Sequence, residues 1–279
     1  MAKIANNWSI EEDKKLLHKT VREAADIAMH YFRNDDLESW DKSENNPVTE
    51  ADIAVNKYLQ KHLMRNRPEY GWLSEETEDS MDRLKCKRVW IVDPIDGTKA
   101  FMKGSDDWGI SVALVYTGKP VLACFYAPAQ QAFYEAEVSK GAFKNDEEII
   151  VSWQKSLSDA RMRGCENAFR SENLWPISWP EEMQCKQQNS IGLRLAQVAD
   201  AQADCCVSLR PKNEWDIAAA DLIVREAGGL VTNGHGQLFV YNQRKPICAH
   251  VVASNRTLYS DVLTHFIPAR EKWEKKFPA

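Results

Sequence analysis

Two aspartates lie close together in the segment 93–98, which reads DPIDGT. The apolar residues 89–92 precede them and predict a buried strand, so both carboxylates would emerge at its end. The proline and glycine favour a tight turn there. Asp93 and Asp96 would repel each other unless a proton or a cation lay between them, and a hard divalent cation with oxygen ligands would relieve that repulsion. A turn whose acids merely cap backbone amides explains this segment, taken alone, about as well.

Three further acids stand at places where the pattern predicts the end of a strand or the start of a helix. Glu75 follows the apolar stretch 71–74, and Asp216 opens an alanine-rich segment that ends in two glycines and predicts a helix. Asp52 closes the sequence TEAD before another helical pattern. A dipole-complementing acid explains Asp216, and a capping-box acid reaching back to Thr49 explains Asp52, if each is taken alone.

Taken together, four blocks of the chain resemble the inositol monophosphatase superfamily of magnesium-dependent, often lithium-sensitive phosphatases. The blocks are PVTEAD at 47–52, LSEET at 73–77, WIVDPIDGT at 90–98, and WDIAA at 215–219 continuing to AGG at 227–229. They occur in the order that the family has and span most of the chain. The resemblance therefore rests on the whole set and its order, because each block alone is a common pattern.

The resemblance implies a metal site built mainly from carboxylates. Glu75 is similar to the first acidic ligand of the family, and Asp93 to the carboxylate that bridges two metal ions. Ile95 would ligate through its backbone carbonyl, while Asp96 and Asp216 would serve the second metal. The expected cofactor is Mg²⁺, with two or three ions bound; Mn²⁺ is expected to substitute, and Li⁺ and Ca²⁺ to inhibit.

The resemblance also assigns catalytic and substrate-binding residues. Glu75 would help to polarise the attacking water, and Thr98 would orient it with Asp52 as its partner. Substrate contacts are expected from Asp96, Gly97, Thr98, Arg194 and Lys42. For Lys42 and Arg194, an ordinary surface or salt-bridge role explains the sequence equally well.

The expected reaction follows from charge. A phosphate monoester carries nearly two negative charges, so a pocket of carboxylates would repel it unless divalent ions lay between them. Such ions also activate water and stabilise the leaving oxygen. The resemblance therefore implies hydrolysis of a small phosphomonoester by water, a scheme that needs no covalent phosphoenzyme.

Three features favour 3′(2′),5′-bisphosphate nucleotides, such as adenosine 3′,5′-bisphosphate, as substrates. Lys99 directly follows Thr98, Arg194 stands where that branch of the family often has a lysine, and the segment 212–216 resembles the branch's approach to the last acid. The alternative is inositol 1-phosphate or another sugar or polyol phosphate. Histidinol phosphate and a non-catalytic regulatory role are less favoured interpretations, the latter because the acids are intact.

Composition and missing motifs exclude other classes. A formal net charge of −5 argues against general binding to nucleic acid or to anionic membranes, and no apolar run approaches the length of a membrane span. No P-loop, dinucleotide fingerprint or zinc motif is present. Seven cysteines at irregular spacings indicate reduced thiols and a cytoplasmic protein. The family resemblance adds the expectation of a homodimer.

The pattern of helices and strands, with the resemblance, predicts an α/β fold of the layered αβαβα type. We expect one domain, 1–279, with sublobes at about 1–150 and 151–279 and the site between them. A capping box at Ser9 predicts a first helix to about Tyr31. The polar residues 34–46, which include Lys42, predict a loop, and residues 165–185 predict a surface excursion.

Overall fold

A computed structural model of the protein describes residues 8–34, 37–43, 46–164, 166–171 and 173–277, without the side chains of residues 42, 43, 46, 166 and 167. The helices within these ranges are α1 (Ile10–Tyr31), α2 (Glu50–Asn66), α3 (Thr98–Met102), α4 (Glu166–Phe169), α5 (Ile191–Ala199), α6 (Glu214–Glu226) and α7 (Tyr259–Lys276). The first helix confirms the sequence prediction, since the Ser9 side chain accepts a hydrogen bond from the backbone N–H of Glu12.

Two sheets form the body of the protein. The larger has the strand order β3 (Gly71–Ser74), β4 (Arg88–Asp96), β5 (Gly109–Tyr116), β6 (Lys119–Ala127), β7 (Ala132–Glu137), β8 (Ala142–Lys144) and β9 (Glu147–Ile149). The smaller contains β10 (Arg161–Gly164), β11 (Gln184–Gln187), β12 (Cys205–Ser208), β14 (Leu230–Thr232) and β16 (Val251–Ser254), in the spatial order 11-10-12-16-14. Two short pairs complete the list: β1 (Ser39–Ser43) with β2 (Asn46–Thr49), and β13 (Lys212–Asn213) with β15 (Ile247–Cys248).

These elements stack in five layers. Helices α1 and α2 cover one face of the large sheet, α5 and α6 lie between the two sheets, and α7 packs on the small sheet. Strand β4 explains the arrangement, because Trp90 and Val92 join the core beneath α1 and α2 while Val89 and Ile91 join the core around α5 and α6. A strand covered on both faces needs the unbroken apolar run that the sequence shows. The predicted αβαβα fold is confirmed.

The loop predicted at 34–46 is wrong for residues 39–43 and 46, whereas residues 34, 37 and 38 belong to no helix or strand. Residues Ser39–Ser43 and Asn46–Thr49 pair as an antiparallel hairpin, with Trp40 opposite Val48. The side chains of residues 39–41 are exposed, so this strand depends on cross-strand pairing rather than on an apolar pattern.

The surface excursion predicted at 165–185 is also wrong in part. Trp175 and Trp179 are 5% exposed, and they pack with Phe169 and Met183 against the outer face of the small sheet. The segment lacks regular periodicity because α4 is short and irregular chain follows it, yet its aromatic side chains complete a third core.

Along the described ranges, no helix combines the length and the apolarity that crossing a bilayer requires. The six cysteines that the structure describes are all free thiols. The division into sublobes at about residue 150 stays a prediction.

Candidate active site

The first acids of the site are placed by neighbouring parallel strands. Strand β3 pairs with β4 so that Ser74 lies beside Val92, and the Glu75 backbone N–H extends the pairing by donating to the Val92 carbonyl (3.2 Å). The next residues along the two segments, Glu75 and Asp93, therefore lie side by side. Strand β4 continues to Asp96 with an irregularity in its pairing to β5 after Asp93, instead of ending in the turn that the sequence predicted.

That irregularity turns the Ile95 peptide toward the site while its side chain stays in the core. The Ile95 side chain is 1% exposed, and its backbone N–H donates to Asp93 Oδ1 (3.1 Å). Gly97 then adopts a φ of 103°, and a Cβ there would lie 2.7 Å from the Asp107 carbonyl oxygen. Glycine is required because a side chain has neither the conformation nor the space at this turn.

A third acid arrives from the second half of the chain. Asp216 occupies the first turn of α6, where its Oδ2 accepts the Asn213 backbone N–H (2.8 Å) in a reciprocal capping box. Carboxylate oxygens of Glu75, Asp93 and Asp216 lie within 4.8 Å of one another. They line a cavity of about 470 Å³ together with Ile95, Asp96, Gly97 and Thr98.

This crowding perturbs the acids strongly. Burial raises the pKa of Asp93 well above its usual range, and the charges of Glu75, Asp96 and Asp216 raise it further. Burial likewise raises the pKa of Asp216 to about 7, against the opposing charge of Lys212. These carboxylates hold protons near neutral pH because no positive charge balances them. A hard divalent cation would supply that charge, and it prefers such oxygen ligands. The residues present therefore fit Mg²⁺.

Asp96 is held from the opposite wall. Its Oδ2 accepts hydrogen bonds from the Ser190 hydroxyl (2.5 Å) and from the Gly192 backbone N–H (2.6 Å), both at the start of α5. Burial raises the pKa of Asp96, while these hydrogen bonds and the charges of Lys212 and Arg194 oppose the rise. One oxygen of Asp96 is thus fixed by the fold, and the carboxylate cannot rotate freely.

The predicted link between Asp52 and Thr98 is present. Asp52 lies in the first turn of α2, where its Oδ2 accepts from the Thr49 backbone N–H (2.8 Å) and hydroxyl (2.6 Å). Its Oδ1 accepts from the Thr98 hydroxyl (3.2 Å), which also lies 3.2 Å from the Ile95 carbonyl oxygen. The capping explanation and the catalytic one are therefore compatible, since Asp52 uses a different oxygen for each contact.

The structure gives different information on the two cations, Arg194 and Lys42, that were predicted to contact the substrate. Arg194 lies on α5 and lines an adjacent cavity instead of the acidic one, with its guanidinium donating to the Gln188 and Asn189 carbonyls. Lys42 lies in β1, but its side chain is outside the part of the chain that the structure describes.

Sequence reasoning missed several residues of the cavity. Arg210 and Asn189 line it, as does Lys212, which the sequence had indicated only as part of a family-like segment. The two hydrogen bonds that Asp96 accepts from Ser190 and Gly192 were also missed. Their one local signal was Ser190, which caps α5 by accepting the Leu193 backbone N–H (2.9 Å).

Comparison with known proteins identifies the class to which this fold and acidic cavity belong. The model of the inositol monophosphatase family matches residues 9–267, and the chain belongs to that family. It is therefore a phosphatase, a hydrolase that acts on small phosphorylated molecules.

Individual relatives divide between two activities. The chain is 33% identical over 234 residues to the 3′(2′),5′-bisphosphate nucleotidase CysQ of Escherichia coli K12, covering 80% of this chain and 92% of the relative. It is 36% identical over 197 residues to the inositol-1-monophosphatase of Rhizobium meliloti, covering 68% and 73%. The solved structure of an IMPase from Thermotoga maritima superposes with a TM-score of 0.78 and 29% identity, covering 95% of this chain and 100% of that one.

Proposed function

We propose that the protein is a Mg²⁺-dependent phosphomonoesterase whose substrate is a 3′(2′),5′-bisphosphate nucleotide. The observation that carries the proposal is the convergence of Glu75, Asp93 and Asp216 from three distant segments to within 4.8 Å. Such mutual repulsion raises the free energy of the fold unless cations are bound. Two or three Mg²⁺ ions held by these acids, by Asp96 and by the Ile95 carbonyl would relieve it, with Mn²⁺ able to replace them and Li⁺ and Ca²⁺ inhibitory.

Bound metal would supply the positive charge that draws an anionic phosphate into this cavity and would make water a stronger acid. The chain's own groups then handle the proton. Glu75 would accept the proton of the attacking water. The Thr98 oxygen would accept a hydrogen bond from that water, because Asp52, fixed by both Thr49 contacts, accepts the hydrogen of the Thr98 hydroxyl. With its hydrogen committed to Asp52, the Thr98 oxygen presents lone pairs to the water.

The preference for a second phosphate rests on the cations beside the acids. Arg210 and Lys212 line the same cavity as the acids, and they belong to the segment that precedes Asp216. Two cations in the same cavity as the acids suit an additional anionic group on the substrate. The named relatives include both CysQ nucleotidases and an inositol-1-monophosphatase, so inositol 1-phosphate is the second candidate.

Phosphate release tests the proposed site. The wild-type protein should hydrolyse adenosine 3′,5′-bisphosphate with Mg²⁺ and not with a chelator, and Asp93→Asn should lose at least about 100-fold in kcat/KM (~3 kcal/mol). The matched control is Asp159→Asn, an exposed aspartate on a loop, which should retain full activity. Unchanged activity in Asp93→Asn would refute the assignment.

The substrate is tested by comparing kcat/KM for adenosine 3′,5′-bisphosphate, inositol 1-phosphate and histidinol phosphate. We expect the first to be hydrolysed most efficiently, and preference for inositol 1-phosphate would reverse that order. A homodimer and a cytoplasmic location stay predictions; the mass of the protein in solution tests the former.

A further inference from the structure

A second cavity of about 320 Å³ adjoins the acidic one. It opens at the carboxyl ends of β10 and β12, where Gly164 and Ser208 lie, and α7 closes it from outside with Trp273. Cavities of about 300–1,000 Å³ at the ends of parallel strands are common ligand sites in proteins. Its position and its size are those of a compartment for part of a small molecule.

The walls of this cavity are largely aromatic and aliphatic. Phe169 ends α4, and Leu174 and Trp175 follow it. Met162 lies in β10, and Leu209 directly follows β12. A polyol placed against these apolar walls would leave hydroxyl groups without hydrogen-bond partners, which is costly. A planar apolar ring would instead gain contact area on each wall.

The aromatic wall is rigid. The Trp175 indole N–H donates to the Ala168 carbonyl (2.8 Å), and its ring packs edge-on against Trp179 with centroids 5.1 Å apart. Phe266 supports it from α7, at 6.2 Å. Side chains fixed in this way lose little conformational entropy when a ligand binds, so stacking on them contributes nearly its full free energy.

One end of the cavity is cationic. Arg194, Arg210 and Lys212 line it, and no acid is found among its described lining residues. Arg210 and Lys212 also line the acidic cavity, so these two cations stand at the junction of the compartments. A molecule spanning both would place one phosphate among the carboxylates, a second anionic group near the junction, and an uncharged ring in the aromatic compartment.

We propose that this second cavity binds the base of a nucleotide substrate, so that its aromatic wall selects nucleotides over polyol phosphates. The proposal rests on the phosphatase function proposed above and adds the group that is recognised. Free polyol phosphates offer neither the ring nor the second anion, and they would leave the compartment empty.

Two variants of opposite kinds test it. Met162 and Gly164 alternate on the cavity face of β10, and a Cβ at Gly164 would approach nothing nearer than Cys185 Sγ at 3.9 Å. Gly164→Leu therefore adds a side chain to the cavity at a position that has room for its Cβ, whereas Trp273→Ala removes a wall. The control for the second is Trp153→Ala, because Trp153 is 81% exposed and lies outside the cavity.

Both cavity variants should lose about 5-fold to 150-fold in kcat/KM for adenosine 3′,5′-bisphosphate, mainly through KM, as expected for a base–aromatic contact. Both should keep wild-type kcat/KM for inositol 1-phosphate, and Trp153→Ala should resemble the wild type on both substrates. Equal losses on the two substrates, or no loss on the nucleotide, would overturn the proposal.

Calorimetric binding of adenosine 5′-phosphate in the presence of Ca²⁺, which is expected to fill the metal site and to inhibit hydrolysis, separates this proposal from the phosphatase function. The wild-type protein and Trp153→Ala should bind the nucleotide, and Gly164→Leu and Trp273→Ala should bind it more weakly by the same factor as above. A protein that binds the nucleotide in this pattern but releases no phosphate from any substrate would contradict the phosphatase function and leave the base site supported. Equal affinity in all four proteins, or no binding to the wild type, would refute the base site.

Discussion

Magnesium binding should release protons, because the acids that would receive the ion are protonated in its absence. The pKa of Asp216 is raised to about 7, and that of Asp93 well above its usual range. At pH 7, Asp216 alone then releases about half a proton on binding, and Asp93 adds to it. The apparent affinity for Mg²⁺ should therefore fall with falling pH, by about 10-fold between pH 8 and pH 6 through Asp216 alone.

The same pKa sets the sign of the effect on stability. A carboxyl whose pKa is higher in the folded state favours folding most below its unfolded value, and this contribution is lost as the pH rises toward 7. For Asp216 the rise from 3.8 to about 7 corresponds to roughly 4 kcal/mol, an upper bound because its side chain is partly exposed. The metal-free protein should thus lose stability between pH 4 and 7, and Mg²⁺ should restore it.

Thermal unfolding and calorimetry measure both effects. At saturating Mg²⁺ the ion should stabilise the protein by about 1.4 kcal/mol more at pH 8 than at pH 6, a difference of about 2–3 °C in Tm. Titration in two buffers of different ionisation enthalpy gives the number of protons released. Asp216→Asn should weaken the pH dependence and Asp159→Asn should leave it intact. Equal Mg²⁺ affinity at both pH values, with no proton released, would refute the reasoning.

Two further predictions concern the groups around the acids. Thr98→Val keeps the shape of the side chain but removes the hydroxyl that donates to Asp52, so kcat should fall about 100-fold or more, whereas Thr98→Ser should retain most of it; equal loss in both variants would argue against the hydroxyl. Gly192→Ala would place a Cβ 2.7 Å from Asp96 Oδ2 and against the Phe125 ring. The substitution should lower the free energy of unfolding in urea by about 1–3 kcal/mol and weaken Mg²⁺ binding. Gly164→Ala, which has space for its methyl group, should change neither. A fully stable Gly192→Ala would contradict the prediction, because it would mean that Asp96 and Phe125 move to make room for the methyl group.

The acids and their order could be predicted from sequence because each block is local. Asp93 and Asp96 follow an apolar run, and Asp52 and Asp216 open helices, so each position carried its own signal. The hydrogen bonds from Ser190 and Gly192 to Asp96 could not be predicted. These residues lie more than ninety residues away from Asp96 and reach it only through packing between the sheets.

Errors in the prediction have a common physical origin. Residues 39–43 form a strand because of the partners that they meet, and Trp175 is buried by α7 and the small sheet, not by any periodicity of its own segment. A local sequence pattern indicates the secondary structure that a segment prefers. In segments without a regular pattern, tertiary contacts determine the secondary structure and the burial. The second cavity could not be predicted for the same reason, because its lining residues come from five separate parts of the chain.

The reciprocal cap between Asn213 and Asp216 has a consequence for the history of such proteins. One oxygen of Asp216 secures the beginning of α6, so a descendant that had abandoned catalysis would still gain from keeping this aspartate. An aspartate retained at this position would then reflect the stability of α6 as much as catalysis. Glu75 lies outside any helix, and its replacement would be the earlier sign of a lineage that had lost its activity.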